Sequence, residues 1–415
     1  MAQKATPDTG AGFASSIDSE SCTTNAVEGG VEGWLTIVGS ALVYYSSFGI
    51  INSFGFFQSY YKNEFLKGTS PFTIAFIGTL QIALMNLLSP VSGSLCDLHG
   101  IKYLYIGSGL GTSGTLLALS FTSPGAVWQT FLSQGLLLGF VMSFGIQSAL
   151  TVAGQHFRHK RAFAMGIVST GSSAGGICYP IMFDKLVAYI GFPWAVRIAA
   201  VKVALCYAIA LCISTSRPSG RVTRISFSSL LDLRGFLDVR YSVIALGAFL
   251  CHLGIWVPFY YIQEYCGVIY PSASIQVYLL SLANATSLIG MIVGGFLGDT
   301  IGRLNLLYPI IILSGLLSLF MWLLAASLPA IIAFSCIHGY CTGHFVALLP
   351  AVVGQISPDE KLGARMGAFY SLVAIASLVG TPVGGALIKG KSREGYQNII
   401  FYTVNGLVLI PIRRN

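Results

Sequence analysis

The sequence is dominated by long apolar runs that short polar joints separate. A helix needs about 20 mostly apolar residues to cross the hydrocarbon core of a bilayer, which is about 30 Å thick. The pattern therefore predicts an all-α membrane protein with twelve transmembrane helices, six before a basic joint and six after it. The runs lie at roughly 34–57, 71–96, 103–122, 126–153, 162–185, 194–214, 239–263, 272–298, 306–326, 329–356, 362–388 and 399–412.

Composition excludes an ordinary soluble protein. The chain is 54% hydrophobic and 9% charged, and its mean hydropathy is +0.74, far from globular averages. The net charge of +8 lies in short clusters between apolar runs, as positive-inside bias predicts, so we expect no binding of nucleic acid. Most of the nine cysteines lie inside apolar runs and cannot form a disulfide framework.

The distribution of Lys and Arg predicts the orientation. Fifteen of these residues fall on the side that would hold both termini and seven on the other side, so both termini are expected in the cytosol. The predicted organisation is a disordered cytosolic tail (1–33), a six-helix half (34–214), a cytosolic linker (215–238) and a second six-helix half (239–415). Its last span is short: about 14 residues reach about 21 Å.

A motif with the pattern G-x3-D-x2-G ends the second and the eighth run. A second pair, Met165-Gly166 and Met366-Gly367, repeats at an offset of 201 residues. Two unrelated motifs at nearly one spacing indicate duplicated halves, as in many membrane carriers. The copies of the first motif are Gly93-x3-Asp97-x2-Gly100 and Gly295-x3-Asp299-x2-Gly302-Arg303, and they are 202 residues apart.

The repeated motif has the chemistry of a gate. Each Asp ends a helix beside a glycine turn and a basic residue, where its carboxylate can pair with the cation and accept hydrogen bonds from the N-terminus of a neighbouring helix. Gly93 and Gly295 allow helices to approach closely. We predict a latch that forms when the cytosolic side closes; the alternative is that both acids only cap helix ends.

The repeated spacing resembles the signature loop of the major facilitator superfamily, along nearly the whole chain. This resemblance implies two pseudo-symmetric six-helix halves, a central cavity lined by spans one, four, seven and ten, and alternating access. Further segments are similar to the monocarboxylate-porter family and its fungal branch: Glu28-Gly-Gly-Val-Glu-Gly33-Trp34, Phe157-Arg-His-Lys-Arg161-Ala-Phe-Ala-Met-Gly166, Phe192-Pro-Trp194-Ala-Val-Arg197, Leu348-Leu-Pro350 and Gln355-Ile-Ser-Pro358.

The chain departs from the animal carriers of that family at two places. Asn52 stands where those carriers have a lysine late in span one, and span eight has Asn284, Ser287 and Met291 where they carry an aspartate and an arginine. These departures argue against recognition of lactate-type substrates by charge pairing.

Polar side chains in the lining spans are the candidates for substrate binding, because an intramembrane polar group must find a partner, water or substrate. His252, Trp256 and Tyr260 follow one face of span seven at i, i+4 and i+8. For each single residue, the alternative is packing or a hydrogen bond between helices. The predicted substrate-binding set is Tyr45, Asn52, Gln147, His252, Trp256, Tyr260, Asn284, Tyr340 and His344.

Proton coupling is assigned to histidine. No Asp or Glu lies deep in a lining span, and histidine titrates in the physiological range. His252 is the first candidate and His344 the second; the alternative is facilitated or exchange-driven transport.

Signals of other chemistry are weak. Cys336, His338, Cys341 and His344 do not converge on a helix, so no metal site is predicted. No P-loop, nucleophile elbow or catalytic carboxylate pair is found, so we predict neither a cofactor nor an enzyme.

The sequence therefore predicts a secondary active or facilitative transporter of a small organic solute, a monocarboxylate-like metabolite, by alternating access. It would work as a monomer in the plasma membrane, with the solute, a coupled proton and the lipid bilayer as its partners. Two alternatives stay open: an exporter of a secondary metabolite, and a non-transporting membrane sensor, to which the short last span gives weight.

Overall fold

The computed structural model describes residues 29–157, 160–216, 233–323, 327–357, 362–390 and 392–408, and the regular structure in these ranges is helical throughout. Nine helices among the described residues are long and apolar enough to cross a membrane. One of them, Arg161–Ile213, contains both span five and span six. Spans three and twelve are the further helices Ile101–Leu119 and Gln397–Val408. All twelve predicted runs are thus helical.

Spans one to six have ends close to those of the predicted runs. Span one begins at Val31, and the long helix of spans five and six changes direction at Gly191, where φ is 79°. The segments are Val31–Ser46, Phe48–Asn52, Phe54–Tyr60 and Tyr61–Phe65 (span one), Pro71–His99 (two), Ile101–Leu119 (three), Val127–Thr130, Phe131–Leu137 and Leu138–His156 (four), and Arg161–Ile213 (five and six).

Spans seven to twelve follow the same order. A short turn, Leu233–Leu237, precedes span seven, and another, Glu394–Tyr396, precedes span twelve. The predicted linker falls mostly on residues outside the described ranges. The segments are Val239–Gly254 and Val257–Ile269 (seven), Ser274–Tyr278 and Leu279–Ile301 (eight), Arg303–Leu317 and Ser318–Leu323 (nine), Leu328–Ile356 (ten), Leu362–Ala386 (eleven) and Gln397–Val408 (twelve).

Spans one and seven are both interrupted near their middle, each for a local reason. In span one, the Ser53 hydroxyl donates to the Gly49 carbonyl over 2.7 Å, and such bonds back to the preceding turn bend helices. In span seven, Pro258 has no N–H to donate to the carbonyl four residues earlier, and the helix breaks between Gly254 and Val257. These bends change which side chains face the centre of the bundle.

The last glycine of each motif copy makes the turn between two spans. Gly100 has φ 71° and Gly302 has φ 105°, a region that residues with a Cβ rarely adopt. Each of these glycines caps the end of one helix and precedes the first residue of the next. The repeat in the sequence is therefore also a repeat in backbone conformation.

Several spans of one half pack against spans of the other. Span one meets span seven, span two packs against span eleven, and the long helix of spans five and six packs against spans eight and ten. We call the end of the bundle where span one begins the Val31 end, and the opposite one the Lys62 end. The chain alternates between these ends, so that the starts of spans five and eleven and the ends of spans two, eight and ten lie at the Val31 end.

Candidate substrate cavity and gates

A central cavity of about 700 Å³, open solvent included, lies among spans one, two, four, five, seven, ten and eleven. The lining reaches Leu150 and Pro350, which are six residues from the ends of spans four and ten at His156 and Ile356. At 1.5 Å per residue, the cavity comes within about 9 Å of the Val31 end.

The described lining is aromatic, aliphatic and neutral. It contains none of Lys, Arg, Asp or Glu, and its polar side chains come from six spans. A site of this kind offers hydrogen bonds and ring faces but no full charge for an ionised solute. The polar and aromatic members are Tyr44, Phe48, Asn86, Gln147, Ser169, His252, Trp256, Phe345 and Tyr370.

His252 is a member of the lining whose two ring nitrogens have different roles. Its Nδ1 lies 2.9 Å from the Ala248 carbonyl oxygen, and since a carbonyl only accepts, Nδ1 carries the hydrogen. The ring also packs against Phe345, with 5.1 Å between centroids. Nε2 has no hydrogen-bond partner among the described residues and is left as an acceptor.

Trp256 adds a donor to the same region. Its indole Nε1 is buried and has no acceptor among the residues that the structure describes. A buried polar group without a partner costs free energy, which a solute with an acceptor would recover. Trp256 and His252 lie one helical turn apart on span seven, as the sequence pattern predicted, and Gln147 of span four lines the same cavity.

Tyr45 and Asn52, the two polar residues predicted on span one, contact neighbouring helices instead. Tyr45 packs against Tyr179 with 5.6 Å between ring centroids, and the Lys202 ammonium lies 4.8 Å from the Tyr45 ring. Asn52 donates from Nδ2 to the Ser172 carbonyl over 3.4 Å. Both thus lie outside the described lining, and Tyr44 occupies the place that we predicted for Tyr45.

Tyr260 and Asn284 lie between the halves rather than in the lining. The Tyr260 ring packs 5.5 Å from Phe54 of span one, on the Lys62 side of the cavity. Asn284 is buried in span eight, where its Nδ2 donates to the Leu280 carbonyl over 2.9 Å and its side chain packs over Gly176 of span five. Both residues contribute to contacts between spans of opposite halves.

On span ten, Tyr340 and His344 also lie outside the described lining. The His344 Nδ1 lies 3.0 Å from the Tyr340 carbonyl, and its ring packs against Gly294 of span eight. His338 has both nitrogens engaged, Nδ1 with the Ser314 hydroxyl over 3.0 Å and Nε2 with the Ile255 carbonyl over 3.1 Å. Within the described ranges, no three His, Cys, Asp or Glu side chains come together as a metal site.

The cavity is covered at the Lys62 end by two successive contacts between spans one and seven. Next to the cavity, Gly55 faces the Phe259 carbonyl so closely that a Cβ there would lie 2.9 Å from the oxygen. Farther out, Lys62 forms an ion pair with Glu264. Burial, and next the Glu264 carboxylate, raise the pKa of Tyr396, so the Tyr396 hydroxyl stays a donor to Glu264, over 3.1 Å.

The second copy of the motif makes a contact between the halves at the Val31 end. Asp299 Oδ2 accepts the backbone N–H of Phe163, at the start of span five, over 3.1 Å. Asp299 Oδ1 lies 3.0 Å from Nη2 of Arg303, and Nη1 of Arg303 donates to the Ala351 carbonyl over 3.0 Å. The carboxylate therefore connects span eight directly to span five and, through Arg303 of span nine, to span ten.

Glycines bring spans five and eight together beside this carboxylate. A Cβ on Gly295 would lie 2.9 Å from the Ala162 carbonyl, and one on Gly166 would lie 2.8 Å from the Met291 carbonyl. In the first copy of the motif, the corresponding Cβ on Gly93 would have no heavy atom nearer than 3.8 Å. The side chain of Asp97, the predicted partner latch, lies outside the described residues.

Comparison with known proteins identifies the family. The sequence profile of the Major Facilitator Superfamily matches residues 36–270 and 244–412. The chain belongs to this superfamily. It is 34% identical over 385 residues to the MFS transporter asaE of Aspergillus flavus, with 92% of this chain and 85% of that protein covered. It is 33% identical to an agnestins efflux protein of Paecilomyces divaricatus, with 91% and 84% covered.

Solved structures agree with this assignment. The nucleoside transporter NupG superposes on the chain with a TM-score of 0.71 at 12% identity, covering 90% of this chain and 98% of that one. At this identity, the likeness shows the fold alone. The predicted major facilitator fold is thus confirmed, and the chain is a multi-pass membrane transporter and not an enzyme. The finer resemblance to monocarboxylate porters stays a prediction.

Sequence reasoning missed the closure at the Lys62 end of this MFS protein. Neither Lys62 nor Glu264 belongs to a predicted motif or to the predicted binding set. They are 202 residues apart, the same offset as the motif copies, so they occupy equivalent positions of the two halves. Equivalent residues touch each other only at the pseudo-two-fold axis, and a search for complementary charges at that offset would have found the pair.

Proposed function

We propose that the protein exports a neutral or weakly polar small metabolite from the cytosol, by alternating access through the central cavity. The observation that supports this most is the absence of Lys, Arg, Asp and Glu from the described lining. A carboxylate moved there from water would lose its hydration without gaining a counter-charge, which costs several kcal/mol. The named efflux activity of the agnestins relative favours the same choice over a monocarboxylate.

In this proposal, the conformation is closed toward the outside. The Val31 end faces the cytosol and both termini lie there, in the plasma membrane, because the positive residues concentrate on that side. The contacts between spans one and seven then form the outer gate, and the cavity that reaches toward the Val31 end is available to cytosolic solute. An epitope on the N-terminus should be stained in intact cells only after permeabilisation; staining without it would contradict this orientation.

The test begins with purified protein in detergent. Thermal shift against neutral aromatic metabolites and against lactate and pyruvate should show stabilisation by the first class alone; a ligand at 100 times its Kd adds about 2.7 kcal/mol to the free energy of unfolding. A hit is then loaded into proteoliposomes, where a carrier gives saturable counterflow. Binding without flux would favour the membrane sensor, and stabilisation by lactate alone would favour the monocarboxylate substrate.

Two single variants test whether the solute binds to residues of the cavity lining rather than to residues outside it. Gln147→Leu keeps the size of a lining side chain but removes its amide, and it should raise KM by about tenfold for a lost hydrogen bond of about 1.4 kcal/mol. Tyr340→Phe removes a hydroxyl from outside the described lining and should leave KM unchanged. Equal effects of the two changes would contradict the assignment of the cavity.

Proton coupling, if export is driven uphill, is assigned to His252 in this proposal. Its free Nε2 faces a lined cavity, whereas His344 packs against the glycines of span eight. His252→Gln should therefore abolish accumulation driven by a pH difference and spare exchange of solute for solute, which needs no return of a proton. His344→Gln is the matched control. Unchanged pH-driven accumulation in both histidine variants would eliminate coupling through histidine, and no pH-driven accumulation by the unaltered protein would leave exchange or facilitated transport by a monomer.

A further inference from the structure

A second cavity lies beside the central one, on the side of the second half that faces the lipid. It lies among spans seven, nine and ten and encloses about 360 Å³, open space included. Its wall is almost wholly apolar, with Val243 and Ile244 half-buried at its rim and Cys251 fully buried inside. We call it the side crevice. Leu246 on span seven and Leu313 on span nine, on either side, are exposed and face the lipid.

The side crevice and the central cavity have two lining residues in common. Phe345 and Leu349 of span ten belong to both walls, and each is almost fully buried. Ala248 lines the crevice, and its carbonyl holds the ring of His252, which lines the central cavity. One layer of side chains therefore separates the two spaces, and Phe345 packs on His252 within that layer.

We propose that the side crevice is a route by which an apolar solute dissolved in the bilayer reaches the central cavity, with Phe345 and Leu349 as the movable partition. This inference rests on the proposed export of a weakly polar metabolite. Such a solute concentrates in lipid, because each buried CH₂ group gains about 0.8 kcal/mol on leaving water. The wall shared with the central cavity favours a solute over an acyl chain, which would fill the crevice and go no farther.

The test measures arrival at Trp256 and needs no transport. Full-length protein in phosphatidylcholine vesicles is titrated with 1-bromododecane, an apolar quencher that partitions into the bilayer. The Trp256→Phe variant gives the share of the other four tryptophans, so the difference reports on Trp256 alone. Quenching of Trp256 should saturate. It should be mostly lost in Val243→Phe, which narrows the mouth of the crevice, and retained in Leu246→Phe, which adds the same ring to the lipid face three residues away.

Several results would overturn the route. The route is contradicted if the quencher never quenches Trp256. It is also contradicted if Trp256 is quenched equally in Val243→Phe and in Leu246→Phe. If Cys251 reacts with bilayer-soluble N-pyrenyl maleimide but Trp256 is not quenched, we would conclude that only lipid chains enter the crevice. If Val243→Phe does not fold, Ile244→Phe at the same rim takes its place. If no solute flux is found, the proposed function is contradicted, but Trp256 can still be quenched through the crevice. Failure of the proposed function can therefore be distinguished from failure of the proposed route.

Discussion

The outermost contacts at the two ends of the bundle join the halves by different means. At the Lys62 end, Gly55 lies against the Phe259 carbonyl next to the cavity, but the outermost contact between spans one and seven is an ion pair whose side chains are 25% and 22% exposed. At the Val31 end, spans five and eight meet through backbone: glycines face carbonyl oxygens, and a carboxylate accepts a main-chain N–H. A partly exposed ion pair contributes about 0–1 kcal/mol, whereas an added methyl group in a closely packed contact costs about 1–3 kcal/mol.

This difference predicts two kinds of sensitivity. In the proposed orientation, the ion pair at the Lys62 end can separate at a small cost, as an outer gate must in each cycle. The contact between spans five and eight has little room for added atoms, so larger side chains at its glycines should strongly lower the stability of the protein. The predictions below compare the two ends, and the two copies of the motif, in order of expected effect.

The largest effect is expected at Gly295. A methyl group there would lie 2.9 Å from the Ala162 carbonyl, so Gly295→Ala should separate spans five and eight, lower the melting temperature and abolish most flux. Gly93→Ala is the matched control, because its Cβ has room and alanine gains up to about 1 kcal/mol of helix propensity over glycine. Thermal unfolding and counterflow measure both. Equal destabilisation would show that the two copies pack alike.

The next effect concerns the carboxylate of the latch. Asp299→Asn keeps an acceptor for the Phe163 N–H but loses the charge that pairs with Arg303, at a cost of about 1 kcal/mol. Transport should slow several-fold while the amount of folded protein at the membrane stays nearly constant, and Asp97→Asn should add to this effect. Flux assays with surface quantification check the outcome. Normal flux in the double variant would eliminate the latch.

A smaller effect is expected from the ion pair at the Lys62 end. Lys62→Met and Glu264→Gln should each raise the population that is open at this end, and the double variant should resemble either single one, since one interaction is lost in all three. A double-mutant cycle on counterflow rates should give a coupling of about 0.2–1 kcal/mol that shrinks in high salt. Strictly additive effects would mean that the two charges act separately.

The smallest effect should follow from Tyr396→Phe. This change removes a single hydrogen bond to Glu264 and retains the ion pair. A small drop in melting temperature with nearly normal flux is expected. A loss as large as that of Glu264→Gln would mean that the tyrosine, and not the lysine, holds the gate.

The positions of the spans could be predicted closely from the sequence. Span ten was expected at 329–356 and is found at Leu328–Ile356, because the bilayer fixes the length of an apolar helix directly. The turns at Gly100 and Gly302 and the duplication followed from spacing in the same way. These features depend on local sequence and on the membrane, both of which the sequence contains.

The orientation of single side chains could not be predicted as well. Gln147, His252 and Trp256 line the cavity, but Tyr45 and Asn52 do not. Adjacent residues differ by about 100° around a helix, so an error of one position moves the prediction to another face, and Tyr44 lies where Tyr45 was expected. Contacts between halves, such as the one at Glu264, depend on how the halves dock, which no single run reveals.

The ion pair at the Lys62 end has a consequence for the symmetry of the two halves. Lys62 and Glu264 occupy equivalent positions and meet at the pseudo-two-fold axis. Two identical copies joined as a symmetric dimer would bring lysine against lysine there, or glutamate against glutamate, and like charges in contact repel. The ion pair therefore requires that the two halves differ at this position. The difference in charge between these two equivalent positions is what allows the halves to form an ion pair here.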